Sequence, residues 1–122
     1  MATTPIMQLL QGYLKVASDR QQVVASNLAN LDTPGYHVRD INFQAAMQQA
    51  LTDTPNGATT TGASSEPYTV EVEGLPERPD GNNVNMDRES MLLSQTQLQY
   101  QMGVQLIKEE FHRLLTAIKE GS

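Results

Sequence analysis

The fold is decided by the segment Ala25–Tyr36, which reads ASNLANLDTPGY and contains the point where a long helical pattern has to end. Asn30 and Asp32 are poor residues for a helix interior, because their short polar side chains compete for backbone hydrogen bonds. Pro34 and Gly35 then fit the two central positions of a type II turn, where proline presets φ and glycine supplies a positive φ. The segment therefore predicts a helix, a stop, a sharp turn and an aromatic residue that packs back after the turn.

A heptad pattern precedes this segment. Thr4 followed by Pro5 is typical of an N-cap and a first-turn proline. From there, residues in alternating steps of four and three form an apolar seam with one polar member, Gln21. Its members are Leu10, Leu14, Ala17, Gln21, Val24, Leu28 and Leu31. A helix with such a face must bury it, and periodicity alone leaves open whether it does so in a coiled coil or in an ordinary helical bundle.

The residues after the turn predict smaller, mixed elements. Residues 36–43 alternate weakly, and a helix-prone run over 44–51 follows, with Asn42 as its N-cap. Residues 52–66 are rich in Thr, Ser, Gly and Ala, have little to bury, and predict a flexible loop. Tyr68–Glu73 alternates cleanly and predicts a short strand with an acidic face. Since a single strand is not stable alone, it must pair with 36–43 or with another subunit.

A second heptad pattern closes the chain. Asn85 or Asp87 can cap a helix that runs to about Lys119, roughly 30 residues or about 45 Å long. Its seam again steps by four and three and includes a polar member, Gln97. The members are Leu93, Gln97, Tyr100, Val104, Ile107, Phe111, Leu114 and Ile118. Because each terminal helix carries one glutamine among its core positions, we expect the two helices to pair with each other.

These patterns predict a mainly α protein, in which long N- and C-terminal heptad helices pair as an elongated coiled coil or bundle. The predicted order is an N-terminal axial helix at 1–31, a middle at 32–86 and a C-terminal axial helix at 87–122. The irregular middle holds the turn, the short helix, the flexible loop and the short β segment. At 122 residues the chain is long enough for a single domain, which both termini would form together.

Composition narrows the possible partners. The formal net charge is −6, and residues 32–86 hold eight acidic residues against Arg39 and Arg78. This balance argues against nucleic acid or an anionic membrane surface as the main partner. Cysteine is absent, which rules out disulfides and thiolate metal sites. No apolar run reaches the roughly 18–20 residues of a membrane span, and the N-terminus lacks the features of a cleavable signal peptide. By themselves these features favour the cytoplasm.

The residues that could carry chemistry form no recognisable site. His37 and His112 are far apart and lack partner ligands at metal-site spacing. The chain has neither a Gly-x-Ser-x-Gly elbow nor a glycine-rich phosphate loop. The stretch from Asp80 fails as a calcium loop, because Asn85 stands where glycine is required and Met91 where the terminal glutamate belongs. We therefore predict no enzymatic activity, no cofactor and no metal.

Two stretches of the chain resemble a known family. Ser26–Tyr36 (SNLANLDTPGY), with its continuation Arg39–Phe43, is similar to the N-terminal signature of bacterial flagellar rod and hook axial proteins. Residues 80–89 (DGNNVNMDRE) and 98–101 (LQYQ) are similar to a C-terminal signature of the rod proteins. The chain therefore resembles the flagellar basal-body rod protein family, and most of all its B-type proximal rod members. The C-type is the alternative, although residues 96–103 depart from its usual C-terminal stretch.

The resemblance implies a structural subunit of the proximal rod, which polymerises through its terminal helices into the drive shaft. It implies self-association, with other rod subunits and basal-body ring and export-gate proteins as partners. It also implies a place in the periplasmic rod of the basal body, reached by type III export without a cleaved signal peptide. A soluble cytoplasmic helical adaptor is an alternative that the heptads permit. A wall-cutting hydrolase is disfavoured, since no pair of carboxylates is suitably placed for it.

The expected functional residues are therefore interface and turn residues. The expected assembly interface comprises Leu10, Leu14, Val24, Leu28, Leu31, Leu93, Tyr100, Val104, Ile107, Phe111 and Leu114. The residues expected to fix the exit from the first helix are Asn27, Asn30, Thr33, Pro34, Gly35 and Tyr36. The first set would contact neighbouring subunits, and the second set would determine the direction in which the chain leaves the helix.

Overall fold

The computed structural model describes residues 5–52 and 69–121 of the chain. Its elements are helix α1 (Pro5–Ala29), strand β1 (Arg39–Ile41), helix α2 (Phe43–Thr52), strand β2 (Thr69–Glu71) and helix α3 (Met86–Gly121). The predicted architecture, mainly α with long terminal helices and a small middle, is confirmed. The predicted N-cap Thr4 and the loop predicted at 52–66 lie outside the described residues, except that Thr52 is the last residue of α2.

Helices α1 and α3 form an antiparallel pair. Asn27 of α1 bonds Glu89 near the start of α3, whereas Leu14 and Tyr13, earlier in α1, lie against Gly103, later in α3. A Cβ at position 103 would stand 2.7 Å from Leu14 Cδ2 and 3.0 Å from Tyr13 Cδ2. The two helices approach so closely at this point because Gly103 has no side chain. The predicted pairing of the terminal helices is thus confirmed.

The small middle packs against another part of α1. A buried cluster joins Val16 of α1, Ile41 of β1 and Ala46 of α2. Around it pack the partly buried side chains of Val23, Phe43, Met47 and Ala50. The rings of Tyr13 and Phe43 also meet edge to face, with their centroids 5.7 Å apart. Helix α1 is therefore covered by two neighbours, α3 and the α2–β1 unit, which explains its central place in the fold.

The seam predicted on α3 is wrong by one residue. The buried residues of α3 are Glu89, Leu92, Thr96, Gly103 and Glu110. The predicted members lie beside this line: Gln97, Tyr100, Phe111 and Ile118 are exposed, and Leu93, Val104, Ile107 and Leu114 are half-buried. The face of α3 that packs on α1 contains Gly103, which permits close approach, and Glu89, which bonds Asn27. Neither residue is apolar and large, so a pattern of apolar residues does not predict this face.

The seam predicted on α1 is correct at two positions. Ala17 and Val24 are fully buried, while the remaining members are half-buried: Leu10, Leu14, Gln21, Leu28 and Leu31. Burial also extends to Val16 and Gly12, outside the predicted seam. The buried face is wider than one heptad seam because α1 has two neighbours to cover.

The predicted strand forms as β2 and pairs antiparallel with β1. Arg39 lies opposite Glu71, and Ile41 lies opposite Thr69. Its predicted first residue lies outside the described part of the chain. Of the two predicted alternatives, pairing with the segment after the turn is confirmed. This two-stranded sheet fixes the position of the residues that follow α1.

Both predicted asparagine caps form. Asn42 Oδ1 accepts a hydrogen bond from Ala45 N at 3.1 Å at the start of α2. Asn85 Oδ1 accepts one from Arg88 N at 3.1 Å, so Asn85 rather than Asp87 caps α3. Helix α3 has 36 residues, about 54 Å at about 1.5 Å per residue, which is longer than predicted. Within the described residues, no helix is long and apolar enough to cross a membrane.

Candidate functional site: a buried polar cluster and an exposed helix face

The turn after α1 has the predicted geometry. Gly35 has a φ of 77°, and Tyr36 N donates to Thr33 O at 3.2 Å, which closes the turn around Pro34 and Gly35. Before the turn, Asn30 Nδ2 donates to a carbonyl of the last helical turn, and Thr33 Oγ1 donates to Asn30 Oδ1 at 2.9 Å. These contacts end the helix and send the chain back along its own side.

Asn27 connects three parts of the interior through one buried side chain. Its Nδ2 donates to Arg39 O at 2.8 Å and to Glu89 Oε1 at 2.9 Å. Its Oδ1 accepts from the Tyr36 hydroxyl at 2.9 Å and from Arg39 N at 3.2 Å. The amide therefore uses both of its hydrogens and both lone pairs of its oxygen. The returning aromatic residue predicted from the sequence is Tyr36, and its polar end bonds this amide.

The side chain of Asn82, from a distant part of the chain, donates hydrogen bonds to carbonyls at the C-terminal end of α1. It is fully buried, and its Nδ2 lies 3.0 Å from Asn30 O, 3.1 Å from Leu31 O and 2.8 Å from Thr33 O. Its Oδ1 accepts from Val84 N at 2.7 Å. Carbonyls at a helix C-terminus have no partner within the helix, so a side chain from elsewhere must satisfy them if water cannot.

The segment around Asn83 packs directly on the turn. Asn83 Oδ1 accepts from Val38 N at 2.7 Å, and Gly35 N donates to Asp80 O at 2.9 Å. Gly81 has a φ of 86°, and a Cβ there would stand 3.4 Å from Gly35 Cα. The two glycine turns therefore lie back to back, in contact through their backbones. We call Asn27, Tyr36, Asn82, Asn83 and Glu89 the polar cluster.

Glu89 is the charged member of the polar cluster and is fully buried. One carboxylate oxygen accepts from Asn27 Nδ2, and the other accepts from Arg88 Nη1. A carboxylate removed from water is tolerated only when its oxygens are paired in this way. Among the described residues, no group of His, Asp or Glu side chains could hold a metal ion. The arrangement fixes the geometry of the start of α3 against the end of α1 and the turn.

Away from the polar cluster, α3 exposes two apolar stripes, one on each side of its contact with α1. The first stripe consists of Tyr100, Phe111 and Ile118, with the half-buried Leu93, Val104 and Ile107 beside them. The second stripe consists of Met91, Leu98, Met102 and Leu106. In both stripes, successive members are three, four or seven residues apart, which is about one or two helical turns. The members of each stripe therefore lie on one face of α3. Phe111 is 56% exposed and Leu98 is 61% exposed, so neither stripe is covered by residues 5–52 or 69–121 of the chain.

The residues predicted for the assembly interface fall into three environments. Tyr100 and Phe111 are exposed. The half-buried members are Leu10, Leu14, Leu28, Leu31, Leu93, Val104, Ile107 and Leu114. Val24 is fully buried, so it belongs to the core of the chain itself and we leave it out of the interface.

Comparison with known proteins identifies the family of the chain. A family model described as flagella basal body rod protein matches residues 7–37, which span most of α1 and the turn. The flagellar basal body rod protein FlgB of Salmonella typhimurium is 31% identical over 130 residues, covering 95% of this chain and 94% of its own. The chain belongs to the flagellar basal body rod protein family.

Two further relatives support the same type. FlgB of Aeromonas hydrophila is 33% identical over 114 residues, covering 87% of this chain and 86% of its own. FlgB of Bacillus subtilis is 29% identical over 121 residues, covering 94% of each chain. The predicted resemblance to B-type rod proteins is therefore confirmed, and the rod protein described here is a structural subunit of the flagellar basal body.

Part of the site of this rod protein was not predicted from the sequence. Asn82, Asn83 and Glu89 were not among the residues expected to be functional. Both asparagines and the glutamate are buried. Local sequence cannot indicate this burial, because each of them bonds a residue that lies between 45 and 62 positions away. The one sequence signal for these residues was the resemblance of 80–89 to the family. It singled out the stretch but did not indicate that Asn82, Asn83 and Glu89 are buried. The second stripe was not predicted, because its members lie outside the heptad seam of α3.

Proposed function

We propose that the rod protein assembles through α1 and α3 into the proximal rod, the drive shaft of the flagellum. In this proposal it contacts further copies of itself, other rod subunits, and the ring and export-gate proteins of the basal body. It acts in the periplasm and arrives there by type III export without a cleaved signal peptide. The observation that carries the proposal is the pair of exposed apolar stripes along α3.

The two stripes suit an open assembly better than a closed pair. Helix α3 is already occupied on one side by α1, and exposed apolar side chains continue on both flanks of that contact. Contiguous exposed apolar surface of this kind marks sites of protein–protein contact. A subunit that offers two different surfaces makes heterologous contacts, which build helical filaments unless the rotation closes a ring. Each α3 would then meet one neighbour through the first stripe and another through the second.

The polar cluster gives this assembly a fixed subunit shape. Its hydrogen bonds close within one chain, so the angle between the turn and α3 does not depend on a neighbour. Buried polar networks of this kind specify one register of packing, because any slip leaves a buried charge without a partner. We therefore assign the polar cluster to the subunit itself and the two stripes to its neighbours.

A free subunit of this design should be only marginally stable. Within the described residues, nine apolar side chains are buried, and two of them are alanines. Such a small core contributes little stabilisation, while α3 exposes several large apolar side chains to water. Association buries them, so the subunit gains stability with concentration.

The proposed interface is tested by placing a charge on the first stripe. Phe111→Asp should abolish motility when it replaces the wild-type protein in cells, because a buried unpaired carboxylate opposes association. The matched control is Gln101→Asp, which adds the same charge to an exposed position of α3 outside both stripes. The proposal expects a loss of motility only for the Phe111 variant, with both variants expressed at equal level. Normal swimming with Phe111→Asp would overturn it.

A further inference from the structure

His37 lies between two carboxylates that belong to different segments. It follows the turn after α1 and precedes β1. Its Nδ1 lies 2.5 Å from Glu71 Oε2 in β2, and its Nε2 lies 3.1 Å from Glu77 Oε2 in the segment that leads to α3. All three side chains are partly exposed, so protons reach them freely. We call His37, Glu71 and Glu77 the histidine clasp.

The position of one carboxylate beside each ring nitrogen favours a protonated ring in the histidine clasp. A neutral imidazole has one N–H group and can donate to only one of the two carboxylates, whereas imidazolium donates from both nitrogens. The hydrogen bond to Glu71 is the largest influence that raises the pKa of His37 above its ordinary value of 6.5. The charges of Glu71 and Glu77 and a backbone contact with Gly81 raise this pKa further, and partial desolvation opposes them.

The neighbouring cations are directed elsewhere. Arg39 donates to Thr69, through its side-chain hydroxyl at 3.0 Å and its carbonyl at 3.2 Å. Arg78 donates to the carbonyl of Leu31 and to Asn82. Among the described residues, the charged groups that face His37 are therefore Glu71 from the β2 side and Glu77 from the segment before α3. The charge of His37 decides whether both carboxylates are held.

We infer that the histidine clasp is a pH-dependent contact that ties β2 and the segment before α3 to the turn when His37 is protonated. Because the folded chain binds the proton more tightly than the unfolded chain, the stabilisation is fully present below the unfolded pKa of about 6.5. It is lost as the pH rises through the higher pKa of the folded chain. Glu77 should be released first, since its contact is longer and the remaining N–H group can stay with Glu71.

The test is a titration of the His37 ring by NMR in the full chain, in wild type and in three variants. Glu71→Gln and Glu77→Gln each remove one carboxylate of the histidine clasp. Glu73→Gln is the matched control, because it removes an exposed carboxylate of the same acidic segment that is not within ion-pair distance of His37. The expected result is a midpoint above 6.5 in wild type, lower midpoints in the first two variants, and a wild-type midpoint in the control.

Two results would overturn the inference. The first is an equal fall in all three variants, because a general effect of acidic surroundings would then explain the titration. The second would come from the pH dependence of the melting temperature. As the pH rises from about 6 to about 8, the melting temperature of wild type should fall relative to that of His37→Gln. His112→Gln, which changes an exposed histidine of α3, should have the same pH profile as wild type. Identical pH profiles for wild type and His37→Gln would contradict the clasp.

Discussion

At the scale of single residues, Asn27 joins α1, the turn, β1 and α3 through one amide. Replacing it with leucine keeps the volume but removes a donor from the buried carboxylate of Glu89 and the partner of the Tyr36 hydroxyl. We expect Asn27→Leu to lower the free energy of unfolding by about 3 kcal/mol, the cost of a broken buried charge contact. Urea denaturation measures this loss.

The control for Asn27 is Gln22→Leu, at an exposed position of the same helix. Both variants replace an amide side chain with the same apolar one. Leucine has a helix propensity similar to that of glutamine and better than that of asparagine, so helix propensity cannot account for a loss of stability in Asn27→Leu. The control should change the free energy of unfolding by less than about 0.5 kcal/mol. Equal losses in the two variants would show that the buried polar cluster contributes no more than an exposed amide.

Gly35 is the residue on which the turn depends. Its φ of 77° is unfavourable for residues with a Cβ, although a Cβ there would meet no atom within 4 Å. The difficulty is thus the backbone conformation rather than space. We expect Gly35→Val to destabilise the subunit by at least about 1 kcal/mol and to block rod assembly. Unfolding experiments and a motility assay measure the two effects.

Asparagine is the matched control at the same position, because it tolerates a positive φ better than other residues with a side chain. Gly35→Asn should therefore assemble and support more motility than Gly35→Val. Normal rod assembly by the valine variant would contradict the role given to this turn.

At the scale of elements, the contact between α1 and α3 depends on Gly103. The space beside it is filled by Leu14 and Tyr13, so a large side chain would force the helices apart. We expect Gly103→Leu to cost about 1–3 kcal/mol through overpacking, despite its better helix propensity. Thermal melting shows the loss. Adding Leu14→Ala should restore part of the stability, and a pair of strictly additive effects would contradict direct packing.

The elements show what a single sequence can and cannot predict. Both long helices, the Asn42 cap and the turn at Gly35 depend on neighbours within a few residues, so local patterns predicted them. The register of α3 depends on where Gly103 meets Leu14, and these two residues are far apart in the sequence. An apolar periodicity therefore located the stripe beside the contact with α1 and missed the inward line one residue earlier.

The residues of the candidate site were also predicted only where local preferences determine them. The turn residues were predicted because proline and glycine have strong local preferences. The burial of Asn82 was not predicted, since polar residues are usually exposed and its partners are about 50 residues away. The interface prediction included Val24, which is buried in the chain, because a seam does not distinguish contacts within a subunit from contacts between subunits.

At the scale of the whole molecule, the rod protein combines a well-determined centre with an incompletely covered long helix. Its polar cluster is satisfied within the chain, whereas Phe111 and Leu98 remain more than half exposed on α3. We propose that neighbouring subunits cover these exposed stripes, and that the subunit gains helical structure and stability as it associates.

The most direct test is circular dichroism of the purified chain across a concentration series, with light scattering on the same samples. We expect incomplete helicity at micromolar dilution, and a rise in helicity that accompanies the formation of large assemblies. A double variant, Leu98→Gln with Phe111→Gln, should shift this rise to higher concentration. A compact, fully helical monomer or dimer with a sharp melt that does not depend on concentration would contradict the claim.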